Sequence, residues 1–129
     1  MFNSLWYKNL IKPVLTPPNQ VFAPVWSFLY LTIFLALILF LFNEDENKKL
    51  GLIYFSIQMI LNISWVFIFF GLKSILLSLF VVILIDIFLI LTIKEFYAVS
   101  KISGIILIPY LLWTLFATYL NYGYLILNG

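Results

Sequence analysis

Charged residues are so sparse along this chain that the gaps between them mark out its elements. None occurs between Lys12 and Glu44, or between Lys49 and Lys73. Only Asp86 interrupts the stretch from Lys73 to Lys94, and nothing charged follows Lys101. A helix that crosses a bilayer needs about 20 mainly apolar residues. The gaps therefore predict four spanning helices, over about 22–42, 50–70, 74–93 and 102–125. Apolar residues run continuously instead of alternating, which excludes a membrane barrel. The stretch 43–49 reads as an extra-membrane turn and 94–101 as the third connection. Between them, 71–73 is so short a turn that the second and third helices are predicted to be antiparallel neighbours.

Residues 1–21 have a different character. Lys8, Lys12, Pro13, Pro17 and Pro18 leave no uninterrupted apolar region of the kind a cleavable signal peptide requires. The prolines exclude a regular helix over 13–18. Residues 2–11 suit a short amphipathic helix at the interface, with Trp6 and Tyr7 at headgroup depth. Pro24 falls in the first turns of the first span, where proline is tolerated. Pro109 falls inside the fourth span, where it predicts a kink near Ile105 or a shortened start. Lysines leave the orientation open. Lys8, Lys12 and Lys73 share one side, and Lys48, Lys49, Lys94 and Lys101 the other.

Composition turns four apolar segments into a membrane protein. Of 129 residues, 65% are hydrophobic and only 9% charged, against about 25% charged in a soluble domain. Such a chain has no hydrophilic shell, so lipid must be its solvent. The predicted fold is all-α, a polytopic membrane helical bundle forming a single domain over 1–129. The net charge of +2 comes from lysine alone, without the dense basic footprint of nucleic-acid binding. The sequence contains no His and no Cys. That removes disulfides, thiolate chemistry and the usual nucleophile–base pairs, and it disfavours soft metal sites. No phosphate-cradling motif occurs. The residues thus call for no catalytic set, cofactor or metal.

The polar residues within the spans form stripes. At 100° per residue, Tyr110, Trp113, Thr114, Ala117, Asn121 and Tyr124 share one face of the last helix. Gln58, Asn62, Trp65 and Phe69 share a face of the second, and Trp26, Tyr30 and Ile33 a face of the first. Amides in hydrocarbon need hydrogen-bond partners, so Gln58, Asn62 and Asn121 are predicted to face the interior. Two readings fit them. They are interhelical glue, or they orient a flat aromatic ligand stacked on neighbouring rings. Trp6 suits an interfacial belt, whereas Trp113 lies too near mid-span for that role. Asp86, the one intramembrane charge, has no lysine within a span to pair with. It is either a functional carboxylate or a protonated carboxyl hydrogen-bonded to a neighbouring helix.

Several segments, in order, resemble the TspO/MBR family of tryptophan-rich sensory and translocator proteins. They begin with Trp6-Tyr7, Lys12-Pro13, Thr16-Pro17-Pro18 and Val21-Phe22-Ala23-Pro24-Val25-Trp26. Leu61-Asn62-Ile63-Ser64-Trp65 and Phe69-Phe70-Gly71-Leu72 follow. Ile108-Pro109-Tyr110-Leu111-Leu112-Trp113 and Phe116-Ala117-Thr118-Tyr119-Leu120-Asn121 complete the match. The resemblance implies a homodimer in a bacterial cell membrane that binds porphyrins and similar flat hydrophobic ligands. It implies a ligand site lined by Tyr7, Trp26, Tyr30, Asn62, Trp65, Trp113, Ala117 and Leu120. For bacterial members it also implies light-dependent porphyrin breakdown, with Trp26 and Trp113 as the residues concerned.

The chain departs from the family pattern at three points. The family has five spanning helices, and this sequence begins where the first interhelical loop would start. The family's early aspartate in its fourth helix falls near Val81, so Asp86 does not inherit its role. No basic residue accompanies Tyr122-Gly123-Tyr124 near the end of the chain, which disfavours cholesterol as the ligand. The alternatives to a tetrapyrrole sensor are a porphyrin-degrading activity, a small transporter coupled through Asp86, and a structural membrane subunit.

Overall fold

The computed structural model describes residues 9–11, 19–43 and 48–128, with side chains from Pro24 onward in the first helix. Trp6, Tyr7, the lysines at 8 and 12, the prolines between 13 and 18, and the acidic residues 44–46 lie outside the described residues.

The predicted helical bundle is present. Helix α1 spans Asn19–Leu41, and α2 spans Lys49–Val66 and continues into a π-helical turn, Phe67–Gly71. Helix α3 spans Ile75–Val99, α4 Lys101–Ile106 and α5 Ile108–Asn128. Among the described residues, four stretches are long and apolar enough to cross a membrane: Pro24–Leu41, Lys49–Gly71, Ile75–Val99 and Lys101–Asn128.

Several boundaries have a local cause. At the end of α1, Lys48 Nζ donates to the carbonyls of Leu41, at 2.8 Å, and Asn43. A cation on the last carbonyls satisfies orphan acceptors and complements the helix dipole. The π turn places consecutive rings against Trp65, which stacks on Phe69 at 5.0 Å and meets Phe70 edge-on at 6.1 Å. The short turn predicted at 71–73 follows, and Lys73 takes a left-handed φ of 56°, a conformation that costs an L-residue about 1–2 kcal/mol. Ser74 then caps α3 by accepting the Leu77 N–H at 3.2 Å.

Two expectations need correction. The third helix does not end at 93. It runs to Val99, and the connection predicted over 94–101 shrinks to Ser100. A charged pair marks the depth at which a helix leaves lipid, not the place where it ends. Twenty-five residues at about 1.5 Å each exceed the hydrocarbon thickness of about 30 Å. Lys94 and Glu95 therefore sit on a helical turn that Phe96, fully buried, continues to anchor. The first helix starts at Asn19 instead of 22, so Pro24 lies in its second turn. The fourth span is interrupted as Pro109 predicts, because proline has no N–H for the carbonyl of Ile105. The interruption falls at Leu107, between α4 and α5.

Helix α3 is central and packs against α2, α4 and α5, while α1 rests mainly on α4. The α1–α4 contact is close because small residues meet there. Ser103 Oγ donates to the Ala36 carbonyl at 2.6 Å, with both residues fully buried. One apolar cluster joins Leu29, Ile33, Phe40, Leu89, Phe96 and Tyr110. Within it Phe40 and Phe96 stack at 4.0 Å. Gly51 admits Phe40, since a Cβ there would lie 2.7 Å from the Phe40 ring. A second cluster joins Phe69, Ile75, Leu120 and Tyr124. Large apolar side chains such as Phe34, Phe80, Leu112 and Ile126 are more than half exposed. That outward apolar surface belongs to a protein whose solvent is lipid.

Candidate functional site

The three predicted stripes converge where α1, α2 and α5 meet. Gln58, Asn62 and Asn121 are buried, as their chemistry requires. Their hydrogen bonds divide them into two tiers.

The first tier is a head-to-tail chain of donors. Tyr30 Oη on α1 donates to Asn62 Oδ1 on α2 at 3.0 Å. Asn62 Nδ2 donates to Tyr110 Oη on α5 at 2.6 Å. Tyr110 Oη donates to Gln58 Oε1 at 2.9 Å, and Gln58 Nε2 ends the chain on the Phe55 carbonyl at 3.1 Å. Every bond points the same way, so each polarises the next. Three helices are joined by groups that hydrocarbon cannot solvate. The chain begins at Tyr30, which is 43% exposed, and runs to Tyr110, which is fully buried. Aromatic rings flank its exposed end. Trp26 lies 5.6 Å from Tyr30 and 6.3 Å from Trp113, and the two indoles meet edge to face. Phe116 extends the surface, 5.6 Å from Trp113.

The second tier lies further along α5. Trp65 Nε1 donates to Asn121 Oδ1 at 2.9 Å, and Asn121 Nδ2 donates to the Ile75 carbonyl at 3.1 Å. One amide thereby ties α2, α3 and α5 together, which is the interhelical-glue reading of Asn121. Asn62 likewise holds helices together, and its Oδ1 also reaches the partly exposed Tyr30.

Of the residues expected to line a site, Trp26, Tyr30, Asn62 and Trp113 come together in the first tier. Trp65 and Leu120 belong to the second, and Ala117 is half-buried one turn beyond Trp113 on α5. Tyr7 lies outside the described residues. Tyr110 and Gln58 were legible as members of stripes, but nothing in a one-dimensional pattern showed that they complete the chain from Tyr30. Phe116 stands off the α5 stripe, and only the packing reveals its contact with Trp113.

Asp86 on α3 is buried, and Thr118 on α5 donates to its Oδ2. Its Oδ1 is buried with no hydrogen-bond partner among the described residues. The carboxyl thus contacts a neighbouring helix, α5, through Thr118.

Comparison with known proteins gives a consistent picture. The sequence profile of the TspO/MBR family matches residues 1–127. The chain is 39% identical over 127 residues to the tryptophan-rich protein TspO of Chlorobaculum tepidum, covering 97% of this chain and 80% of that one. It is 42% identical over 124 residues to the tryptophan-rich protein TspO of Archaeoglobus fulgidus, covering 96% and 80%. It is 35% identical over 122 residues to the human translocator protein, covering 91% and 71%. With four spanning helices and these relatives, the chain is an integral, multi-pass membrane protein.

Proposed function

Because the chain belongs to the TspO/MBR family, we propose that it is a membrane sensor that binds tetrapyrroles, such as protoporphyrin IX, between α1, α2 and α5. The names sensory protein and translocator protein carried by relatives support a role in sensing or carrying a ligand. The observation that carries the finer reading is the Trp26–Trp113 edge-to-face pair beside the exposed end of the Tyr30–Asn62–Tyr110–Gln58 chain. Indole faces stack on a flat π-system, and a preformed hydrogen-bond chain fixes its orientation. The site is apolar with a few convergent polar groups, the usual character of small-molecule sites.

Protoporphyrin IX titrated into the reconstituted protein is expected to quench tryptophan fluorescence saturably. Trp6 and Trp65 remain as emitters in the Trp26→Leu/Trp113→Leu double variant. That variant is expected to bind at least about tenfold more weakly, in line with the loss of two aromatic contacts. Equal affinity in the variant would remove the site from this face of the bundle.

A further inference from the structure

Thr118 on α5 stands within hydrogen-bond reach of two acceptors. One is Asp86 Oδ2 on α3, and the other is the Thr114 carbonyl one turn back, at 2.9 Å. A hydroxyl has a single hydrogen to donate. With Asp86 ionised, that hydrogen goes to Oδ2, the contact with Thr114 has none, and Oδ1 is a buried charged oxygen without a partner among the described residues. Thr114 commits its own hydroxyl to the Leu111 carbonyl at 2.9 Å. Among the described residues, α1, α2 with its π turn, and α4 bring no lysine or carboxylate against Asp86. Tyr110 on α5 is the titratable group within its electrostatic reach, and its phenolic hydrogen is given to Gln58. A buried carboxylate held by one neutral hydroxyl is costly. A second proton balances the set. Placed on Oδ2, it is donated to Thr118 Oγ1, and the Thr118 hydroxyl is then free to serve the Thr114 carbonyl. Two hydrogens meet two acceptors, and Oδ1 becomes the carbonyl oxygen of a neutral acid. These oxygens already lie at hydrogen-bond distance, so what fits between them is a proton and not a metal ion.

We propose that Asp86 is a proton-binding site in the α3–α5 seam, loaded at neutral pH, and that its proton sets how firmly α5 presents the ligand face. The second half rests on the ligand-binding reading above; the proton site does not. Thr114 and Thr118 directly follow Trp113 and Ala117 in the sequence, and Tyr110 lies one turn before Thr114. The same turns of α5 therefore meet the carboxyl on α3 and carry the indole and phenol that meet Trp26 on α1 and Asn62 on α2. Loss of the proton leaves a charge in the seam, which is relieved by parting α5 from α3, and the ligand face moves with α5. The seam is at full strength while the proton is held and weakens as pH rises through its loss.

Infrared spectroscopy in nanodiscs reads the proton without a ligand. The C=O stretch of a protonated carboxyl is expected at neutral pH, where an exposed aspartate is ionised. It is expected to vanish in Asp86→Asn, which keeps a donor for Thr118 Oγ1 at similar volume. Thr118→Val leaves the Asp86 proton without its acceptor and is expected to move the band to higher frequency. Protoporphyrin IX titrations at neutral and alkaline pH read the linkage. Affinity is expected to fall at least about fivefold further in the unaltered protein than in Asp86→Asn. The difference between the two proteins is the readout, because the porphyrin's own propionates titrate. Neutral-pH carboxyl bands identical in all three proteins overturn the proton site and the linkage. A band that depends on Asp86, with equal pH dependence of porphyrin affinity in both proteins, overturns the linkage alone. Absence of porphyrin binding to the unaltered protein overturns the binding reading and the linkage, while the infrared spectra still decide the proton site.

Discussion

The hydroxyl of Ser103 donates to the carbonyl of Ala36 at 2.6 Å, and this bond joins α4 to α1 at a point where neither residue is exposed. Interhelical hydrogen bonds of this kind average about 0.6 kcal/mol in membrane proteins. Ser103→Ala is accordingly expected to lower stability by less than about 1 kcal/mol. Ala36→Leu, which forces the helices apart, is expected to cost about 1–3 kcal/mol. Thermal unfolding in one detergent would rank the two, and a Ser103→Ala cost equal to that of Ala36→Leu would mean that the bond, not the close approach, dominates.

Glycines separate sharply by what surrounds them. A Cβ on Gly104 would lie 2.6 Å from Tyr97 Cβ and 2.8 and 2.9 Å from its Cα and N. The backbone at the end of α3 cannot yield as a side-chain tip does. Gly104→Ala is expected to cost at least about 1–3 kcal/mol. Gly71 has nothing within 4 Å, and Gly71→Ala is expected to stay within about 0.5 kcal/mol. Melting temperatures of the two variants measured side by side check the contrast.

Tyr110 holds the middle of the polar chain. Tyr110→Phe strands Asn62 Nδ2 and Gln58 Oε1 at once in a buried setting, at an expected cost of about 1–3 kcal/mol for each unsatisfied group. Tyr30→Phe strands one group, Asn62 Oδ1, at the partly exposed end of the chain, and is expected to cost less, about 1 kcal/mol. Chemical or thermal unfolding that ranked Tyr30→Phe as the more damaging would contradict the central place of Tyr110 in the chain.

These residues also show what a sequence reveals in a membrane protein. The spans were legible because lipid tolerates almost no charge, so the gaps ending at Glu44, Lys73 and Lys94 outline them directly. The stripes were legible because amides such as Asn62 must turn inward. The end of α3 was not, because Lys94 and Glu95 record depth while Phe96 keeps the helix going. Asn128 was not legible either. A polar residue near a helix terminus looks like an ordinary capping group, but its amide also bonds the backbone of Ile11, 117 positions away. Which amide bonds to which hydroxyl likewise depends on how three helices are spaced, and no single helix encodes that spacing.

Thr118 on α5 and Asp86 on α3 support a double-mutant test. Thr118→Val removes the donor from Asp86 Oδ2, while Oδ1 already has no partner among the described residues. The substitution is expected to cost about 1–3 kcal/mol. In an Asp86→Ala background its cost is expected to shrink, giving a coupling of at least about 0.5 kcal/mol. Additive costs in unfolding measurements would separate the two residues energetically.

The interruption at Leu107 gives the fourth crossing a joint. On one side of it, α4 is fastened to α1 through Ser103; on the other, α5 carries Tyr110 and Trp113 and packs on α3. Both segments pack on α3, and they differ in what else they hold: α4 holds α1, and α5 holds the polar chain. An adjustment of α1 against α4 can then be taken up at Leu107, before it disturbs the bearing of the rings and hydroxyls on the far side.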